Sequence, residues 1–425
     1  MGDIMNEQYE QLTQAIAQGD LTTVDAMLSQ FMIEALPEDQ YAITEQLMHY
    51  GYLTQADELL QNLLFLLPNE PQLLIDRANV AMELGNEDEA LTLLLEVNEE
   101  AEEYPQALLA LADYYQMQGL FEAAQHRLEQ ALMLLPNEPL LQFAKAELLA
   151  ETGRFLEASR LYESLYTQQT HMGGMSLAER LADVYRAGAA YEEALRYYKL
   201  ALDEEIKPDS LFGAAYAAFQ TQQYAYASKT LEELKELDPD YFSAYLLLAQ
   251  CYEIEERLAE AYATISQGLQ RDEYDKALFL YAGKLALKQG LTAQAEQHLR
   301  EAIALDPEYM EAIMTLMAYL AQQQNYEAVI ELAETLHAQD FKWTALYPFI
   351  AKAYVEEEEY AKAAQYYDEA YVDFDDDAAF LAEYVYFLLE EGRRKEALVV
   401  VEKLHHLQDY VEEWSTLLTT LQEEA

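Results

Sequence analysis

Apolar residues recur along the chain at spacings of three and four, and turn-forming residues interrupt this pattern at regular intervals. In residues 105–138, one apolar stripe ends at Gly119 and a second ends at Pro136. Such spacings place apolar side chains on one face of an α-helix, and glycine and proline mark helix ends. The stretch is therefore predicted to form two helices joined by a tight turn. The stripes are Leu108, Leu111, Ala112 and Tyr115, then Ala124, Leu128 and Ala131.

The second stripe contains an alanine, here called the anchor, that recurs about every 34 residues. The spacings between successive anchors are 34, 34, 34, 36, 33, 34, 34, 33, 35 and 34 residues. A fixed period of this length predicts an array of helix pairs in which each pair packs on its neighbours. The anchors are Ala56, Ala90, Ala124, Ala158, Ala194, Ala227, Ala261, Ala295, Ala328, Ala363 and Ala397.

This unit resembles the tetratricopeptide repeat (TPR). A small residue recurs at one position of most first helices, the position after the family's leucine. A tyrosine often comes three residues later, and prolines end several second helices. Two turns, at residues 67–71 and 135–139, have identical sequences. The resemblance implies an all-α, right-handed superhelical α-solenoid of about eleven helix pairs with capping helices at both ends. The small residues are Ala78, Ala112, Ala146, Ala182, Ala215, Ala249, Gly283 and Ala351; the tyrosines are Tyr115, Tyr185, Tyr252, Tyr319 and Tyr354; the prolines are Pro68, Pro136, Pro239 and Pro307. Leu316 occupies the small position of the repeat anchored at Ala328.

Four segments are predicted: a degenerate helix pair at 1–36, an N-terminal array at 37–170, a C-terminal array at 171–407 and a capping helix at 408–425. The division at residue 171 depends on the single 36-residue spacing, whose extra residues fall in 168–174 and include Gly173 and Gly174. Two glycines in a lengthened turn favour a bend or hinge. A longer loop with unchanged stacking explains the spacing equally well.

The chain is strongly acidic. It has 25 Lys and Arg against 79 Asp and Glu, a net charge of −54. Nucleic acids and anionic membrane surfaces are therefore poor partners. The acidity fits a solvated, glutamate-rich helical surface, and it also fits attraction of a basic partner segment. No apolar run is long enough to span a bilayer. The acidic N-terminal residues and a single cysteine, Cys251, favour the cytoplasm.

The sequence offers no constellation for catalysis or cofactor binding, so a non-enzymatic protein without cofactors is predicted. The run Asp373–Asp377 resembles the start of a calcium loop, but Ala378 and Tyr384 stand where that loop needs glycine and glutamate. The run is better explained by an aspartate that caps the next helix. Cys251 is interpreted as a small core residue.

The family's inward-facing positions predict a groove for a partner protein or peptide with an amphipathic or basic segment. The acidic members of this predicted set, in the first repeats, are Glu38, Glu45, Asp76 and Asp113. The apolar and aromatic members, in the central repeats, are Phe212, Tyr216, Phe219, Leu246, Leu247, Leu280, Tyr281, Met314 and Met317. Packing between adjacent first helices is an equally good explanation for some of the apolar members.

The predicted function is a scaffold or adaptor that holds a partner in this groove. The chain resembles the acidic TPR proteins of low-GC Gram-positive bacteria. That resemblance implies an adaptor in a regulatory complex, such as one controlling protein turnover or cell-envelope synthesis. A peptide-sensing regulator of the TPR class is the alternative. It ranks lower because neither end of the chain shows the basic recognition helix of a DNA-binding helix-turn-helix.

Overall fold

The computed structural model of the chain describes residues 2–408 and 411–424. The chain forms two compact units, Met1–Gln223 and Tyr224–Ala425. In both units the described residues are almost entirely helical, and helices follow one another in antiparallel-type pairs joined by short turns. No described helix is both long enough and apolar enough to cross a membrane.

The first unit contains thirteen helices and one hairpin in its described residues. They are α1 (Gly2–Gln18), α2 (Leu21–Glu34), α3 (Pro37–His49), α4 (Leu53–Leu66), α5 (Pro71–Glu83), α6 (Glu87–Glu96), α7 (Tyr104–Met117), α8 (Phe121–Leu134), α9 (Pro139–Glu151), α10 (Phe155–Tyr166), β1 (His171–Met172), β2 (Met175–Ser176), α11 (Leu177–Ala187), α12 (Tyr191–Glu204) and α13 (Pro208–Gln220).

The second unit contains twelve α-helices and one 3-10 turn in its described residues. They are α14 (Tyr224–Leu237), α15 (Ser243–Ile254), α16 (Leu258–Arg271), α17 (Lys276–Lys288), α18 (Thr292–Leu305), α19 (Met310–Gln322), α20 (Tyr326–Ala338), the 3-10 turn Thr344–Leu346, α21 (Tyr347–Glu356), α22 (Tyr360–Ala370), α23 (Ala378–Glu390), α24 (Arg394–Leu407) and α25 (Glu412–Glu424).

The helix pairs follow the predicted repeat. From α3 to α24, the odd-numbered first helices alternate with even-numbered second helices, and each second helix carries one anchor alanine. Ten of the eleven anchors have no exposed surface. The exception is Ala328, which is partly buried, while the next residue, Val329, is fully buried. In that repeat the bulky Leu316 fills the position that is alanine or glycine in eight of the other ten.

The two ends of the array are covered as predicted. Helix α1 packs against α2 and α3, and α25 packs against α24. Leu12 and Ile16 of α1 are fully buried, as are most of Trp414 and Leu421 on α25. A terminal helix pair has an apolar face with no further repeat to cover it, so these helices supply that cover. The all-α solenoid of eleven helix pairs with capping helices is confirmed.

The extra residues of the 36-residue spacing form an antiparallel hairpin. His171 pairs with Ser176, and Met172 pairs with Met175. Gly173 and Gly174 form the turn with positive φ angles of 55° and 81°. A two-residue hairpin turn of this kind needs positive φ at both positions, which glycine adopts without steric penalty. The hairpin lies within the first unit. The division at residue 171 stays a prediction, and limited proteolysis can test it.

Tyrosine hydroxyls are frequent partners of the carboxylates in this acidic chain. Tyr198 on α12 donates to Asp183 on α11 at 2.6 Å, and Tyr185 on α11 donates to Glu163 on α10 at 2.8 Å. A tyrosine hydroxyl, which is an uncharged donor, also donates to a carboxylate in the pairs Tyr162–Glu147, Tyr252–Glu232 and Tyr384–Asp368. Glu147, Asp183 and Asp368 are also within 4 Å of an arginine. With 25 cations for 79 carboxylates, neutral hydroxyl donors add to the few ion pairs that the chain can form.

Gly213 marks the closest approach between α13 and α12. A Cβ atom at this position would lie 2.2 Å from Cζ of Tyr198, whose ring is buried and whose hydroxyl is held by Asp183 and Arg186. We expect Gly213→Ala to lower the free energy of unfolding by up to about 2 kcal/mol. Overpacking costs about 1–3 kcal/mol, and the better helix propensity of alanine returns about 1 kcal/mol.

Urea unfolding of Gly213→Ala checks this expectation. Gly283→Ala is the matched control, because its Cβ would meet the rotatable side chain of Leu299 at 2.8 Å rather than a fixed ring. Its loss should be smaller. A Gly213→Ala protein that is more stable than the wild type would show that helix propensity outweighs the contact with Tyr198.

Candidate partner-binding faces

The four predicted acidic residues lie on first helices of the first unit. Glu38 and Glu45 are exposed on α3. Asp76, on α5, is buried, and its carboxylate accepts hydrogen bonds of 2.8 Å from the Tyr41 hydroxyl and of 2.8 Å from the Gln72 amide. Burial raises the pKa of Asp76 although both hydrogen bonds lower it. Asp76 therefore helps join α3 to α5, and it offers little charge to a partner.

Asp113 lies in what we call the acidic pocket, a concavity of about 500 Å³ between α7 and α9. Two other carboxylates line it. Glu147 accepts from the Tyr162 hydroxyl and lies 3.3 Å from Nε of Arg180, and Glu151 accepts from the Gln116 amide. Within the described part of the chain Asp113 has no hydrogen-bond or ion-pair partner. The apolar lining consists of Leu109, Met117, Leu140, Phe143 and Ala144.

The surroundings of Asp113 disfavour its charged form. Solvent reaches its carboxyl, but the protein atoms around it raise the pKa of Asp113 from 3.8 to about 6. Because the folded-state pKa lies above the unfolded value, this group favours the folded state below about pH 4. That contribution is lost as the pH rises through about 6. A cation placed beside Asp113 would reverse this effect by stabilising the carboxylate.

We therefore expect Asp113→Asn to be slightly more stable than the wild type at about pH 7.5 and not at about pH 4. The difference should be about 1 kcal/mol or less, because solvent screens an exposed carboxyl. Urea unfolding of both proteins at the two pH values measures it. An equal stability difference at both values would show that Asp113 titrates normally.

The aromatic residues predicted on α13 are half-buried. Phe212 stacks on Tyr216 with ring centroids 6.4 Å apart, and Tyr216 makes an edge contact with Tyr191 at 5.9 Å. Phe219 lies one turn further along the same helix and is also half-buried. These rings therefore combine packing within the first unit with a part of their surface that is open to solvent.

Three of the six apolar residues predicted in the second unit are buried. Leu247 is 6% exposed, Leu280 is 5% exposed and Met317 has no exposed surface. Their side chains pack between helices and have almost no surface that a partner could contact. We therefore leave these three residues out of the proposed binding face. Leu246, Tyr281 and Met314 are half-buried. The Tyr281 hydroxyl donates to Glu253, and this contact together with burial raises its pKa.

Three of the four lysines on the second unit's first helices are paired with acids on neighbouring first helices, and the fourth, Lys276, pairs with Asp306 at 2.5 Å. Lys288 on α17 pairs with Glu253 on α15, and Lys284 pairs with Glu311 on α19. Lys352 on α21 lies 2.9 Å from Glu383 on α23. These pairs join successive repeats and neutralise the cations, so the face keeps no excess of positive charge for an acidic partner.

An apolar concavity, here called the C-terminal groove, lies where α19, α21 and α23 adjoin. Its volume is about 570 Å³. Met314 contributes from α19, Phe349 from α21, and Phe374 and Phe380 from the α22–α23 turn and the start of α23. Its polar edge consists of Gln322, Lys352, Asp377 and Glu383. The sequence pattern predicted Met314 but not the three phenylalanines, although Phe349 and Phe380, the third residues of two consecutive first helices, were a visible signal.

The residues considered for chemistry have structural roles. Cys251 is buried, and burial raises the pKa of its thiol to about 12. Asp377 caps α23 by accepting from the backbone N–H of Ala379 at 2.8 Å and of Phe380 at 3.1 Å. Both interpretations from sequence are confirmed. In the part of the chain that the structure describes, no three His, Cys, Asp or Glu side chains are grouped to hold a metal ion.

The repeat geometry and its first-helix faces define a tetratricopeptide-repeat protein. Three segments match TPR families: 116–170 matches YpiA-like tetratricopeptide repeats, 348–408 matches YpiA-like C-terminal tetratricopeptide repeats, and 212–276 matches a tetratricopeptide repeat. The chain belongs to the YpiA-like family. It is 37% identical over 390 residues to the TPR repeat-containing protein YpiA of Bacillus subtilis (strain 168), a match that covers 92% of each chain. The class typically serves protein–protein interaction and does not catalyse reactions.

Solved structures of helical repeat proteins are similar to parts of the chain. The C-terminal part of a TPR repeat-containing protein from Cytophaga hutchinsonii is 15% identical, with a TM-score of 0.48, and covers 56% of this chain and 98% of its own. YrrB, described as a TPR protein with an unusual peptide-binding site, is 19% identical, with a TM-score of 0.38, and covers 44% of this chain and 96% of its own.

Proposed function

We propose that the chain is a non-enzymatic scaffold that binds an amphipathic helix of a partner protein on its first-helix faces. The observation that carries this proposal is the C-terminal groove. Met314, Phe349 and Phe374 leave apolar surface open there, although the rest of the chain is rich in charge. An apolar groove formed by three consecutive repeats fits the apolar face of one helix.

The charges around the groove indicate the polarity of the partner. Lys352 is already paired with Glu383, whereas the turn that leads into α23 contains Asp373, Asp376 and Asp377. A partner helix with lysine or arginine beside its apolar face would complement this turn. Charge of this kind mainly speeds association and fixes orientation, and apolar burial supplies most of the affinity.

The first unit offers a second place for basic side chains. Glu38 and Glu45 are exposed, and the carboxyl of Asp113 lies without a partner in the acidic pocket. Phe212, Tyr216 and Phe219 supply half-buried aromatic surface on α13. We propose that these residues contact a partner on the first unit, and that Leu246, Tyr281 and Met314 contact a partner on the second unit.

Affinity purification from the native cell tests the proposal. The baits are the wild type, a groove variant carrying Met314→Glu and Phe349→Glu, a variant carrying Phe212→Ala, Tyr216→Ala and Phe219→Ala, and the control Val399→Glu on the exposed side of α24. The wild type and the control should recover one protein in stoichiometric amount, and the groove variant should not. Equal recovery by the folded groove variant would exclude the C-terminal groove as the binding site.

A further inference from the structure

Two turns of the first unit expose apolar side chains in nearly identical sequences. Residues 64–71 read LFLLPNEP and residues 132–139 read LMLLPNEP, so they differ at one position in eight. Phe65 is 85% exposed and Met133 is 73% exposed, and the two leucines that follow each of them are also exposed. We call residues 65–67 the first apolar turn and residues 133–135 the second apolar turn.

These side chains occupy positions that are polar in most other repeats, and the repeat anchored at Ala363, with Val372 and Phe374, is the main exception. Phe65 and Met133 come nine residues after their anchors, where the next two repeats of the first unit place Thr167 and Asp203. Leu67 and Leu135 come eleven residues after their anchors, where three repeats of the second unit place Asp238, Asp272 and Asp306. The repeat therefore does not require apolar residues here, and only these two turns have large apolar residues at all three positions from nine to eleven after the anchor.

At the position eleven residues after the anchor, leucine cannot make a hydrogen bond that aspartate makes in other repeats. In the second unit the aspartate carboxylate accepts from the backbone N–H two residues later, at 3.1 Å for Asp238, 3.0 Å for Asp272 and 3.0 Å for Asp306. A leucine side chain has no acceptor for that N–H. The two apolar turns thus lose a turn-capping contact and expose apolar surface to water, so folding does not explain them.

The charges around the turns exclude a second copy of this chain and favour a basic partner. Neither octapeptide contains lysine or arginine, and Glu70 and Glu138 lie exposed within them. The intervening repeat places the exposed Glu99 and Glu100 between the two turns along the array. A second copy would bring another 79 acidic residues against 25 basic ones and would be repelled.

We infer that the two apolar turns form one docking edge for a basic amphipathic helix of another protein. The turns lie at the C-terminal ends of α4 and α8, two repeats apart, which corresponds to roughly 20 Å if successive repeats stack about 10 Å apart. A helix of about 14 residues covers that length. Apolar side chains near its two ends would contact the two turns, and lysine or arginine between them would face Glu99 and Glu100.

This edge is separate from the first-helix faces of the proposed function. The apolar turns follow second helices, whereas the C-terminal groove and the acidic pocket are lined by first helices and the turns next to them. A scaffold with both surfaces could hold two partners at once. The inference also stands if the first-helix proposal fails, because it depends on different residues.

A designed peptide tests the inference. The probe is a helical peptide of about 18 residues, with leucines near both ends of one face and lysines between them. The matched probe has glutamate in place of each lysine. Fluorescence anisotropy should show the lysine peptide binding to the wild type and binding more weakly as salt rises. The glutamate peptide should bind at least tenfold more weakly.

Variants locate the site of binding. Phe65→Glu with Leu67→Asp, and separately Met133→Glu with Leu135→Asp, should each weaken binding at least tenfold. The control Val399→Glu and the groove variant Met314→Glu with Phe349→Glu should leave it unchanged. The unfolding midpoints of the turn variants should not fall, since the new aspartates can accept the N–H that the leucines leave without a side-chain acceptor.

Four results would overturn the inference. The lysine peptide could bind all variants equally. Alternatively, only one of the two turn variants could weaken binding, which would exclude a helix that bridges both turns. The wild type could bind neutral phosphatidylcholine vesicles in a way that the turn variants lose, which would make the edge a lipid contact. Sedimentation could show a self-association that the turn variants abolish, which would make it a contact between copies.

Discussion

A purified partner is expected to bind the groove variant at least about 100-fold more weakly than the wild type, which corresponds to about 2.7 kcal/mol. Met314 and Phe349 are half-buried on consecutive first helices and face the same concavity. Side chains at the centre of an interface each contribute about 2 kcal/mol or more when a partner covers them. Glutamate removes the apolar contact and also leaves a charge that a partner would have to desolvate.

Calorimetric titration with the partner recovered from the native cell measures this loss. The fold should survive the change, because both side chains already have surface open to water, and circular dichroism checks it. Val399→Glu introduces one such negative charge on the exposed side of α24 and should bind as the wild type does. An affinity of the folded groove variant within threefold of the wild-type value would place the partner elsewhere.

Enlarging the anchor alanines should have the largest effect on stability. Ala124 on α8 and Ala261 on α16 have no exposed surface, one in each unit. We expect Ala124→Leu and Ala261→Leu each to lower the free energy of unfolding by about 1–3 kcal/mol, because three extra carbon atoms must enter a close helix crossing.

Chemical denaturation of the two anchor variants measures the effect, and Ala328→Leu is the matched control. Ala328 is only partly buried, so a larger side chain there can extend towards solvent and its substitution should cost less. Midpoints for Ala124→Leu and Ala261→Leu that equal the wild-type value would contradict the assignment of the anchors to helix crossings.

The repeat could be predicted from the sequence because its signals are local and recur. Small residues at anchors such as Ala124 and prolines such as Pro136 mark contacts and ends that every repeat needs. Eleven pairs and two capping elements follow from counting them. The hairpin at residues 171–176 was not predicted, since strands of two residues have no periodicity to detect. The boundary after Gln223 falls between the helices of one repeat, where the sequence pattern continues without a change.

The candidate site was harder to predict than the fold. Leu246 and Leu247 are chemically identical neighbours, yet adjacent positions on a helix point about 100° apart, so one is half-buried and the other is buried. The repeat pattern predicts which residues face the groove with an error of about one position. An error of one position is enough to exchange an exposed residue for a buried one. The groove residue Phe374 lies in an aspartate-rich turn, where a helical pattern gives no indication of a groove.

Site-specific photo-crosslinking from position 349 tests the central claim most directly. A photoreactive phenylalanine analogue replaces Phe349 in the groove or, in the control, Gln365 on the exposed side of α22. In the native cell, position 349 should crosslink to the protein that co-purifies with the chain, through a segment that combines apolar residues with lysine or arginine, and position 365 should not. Crosslinking of that protein from position 365 and not from 349 would contradict binding on the first-helix face.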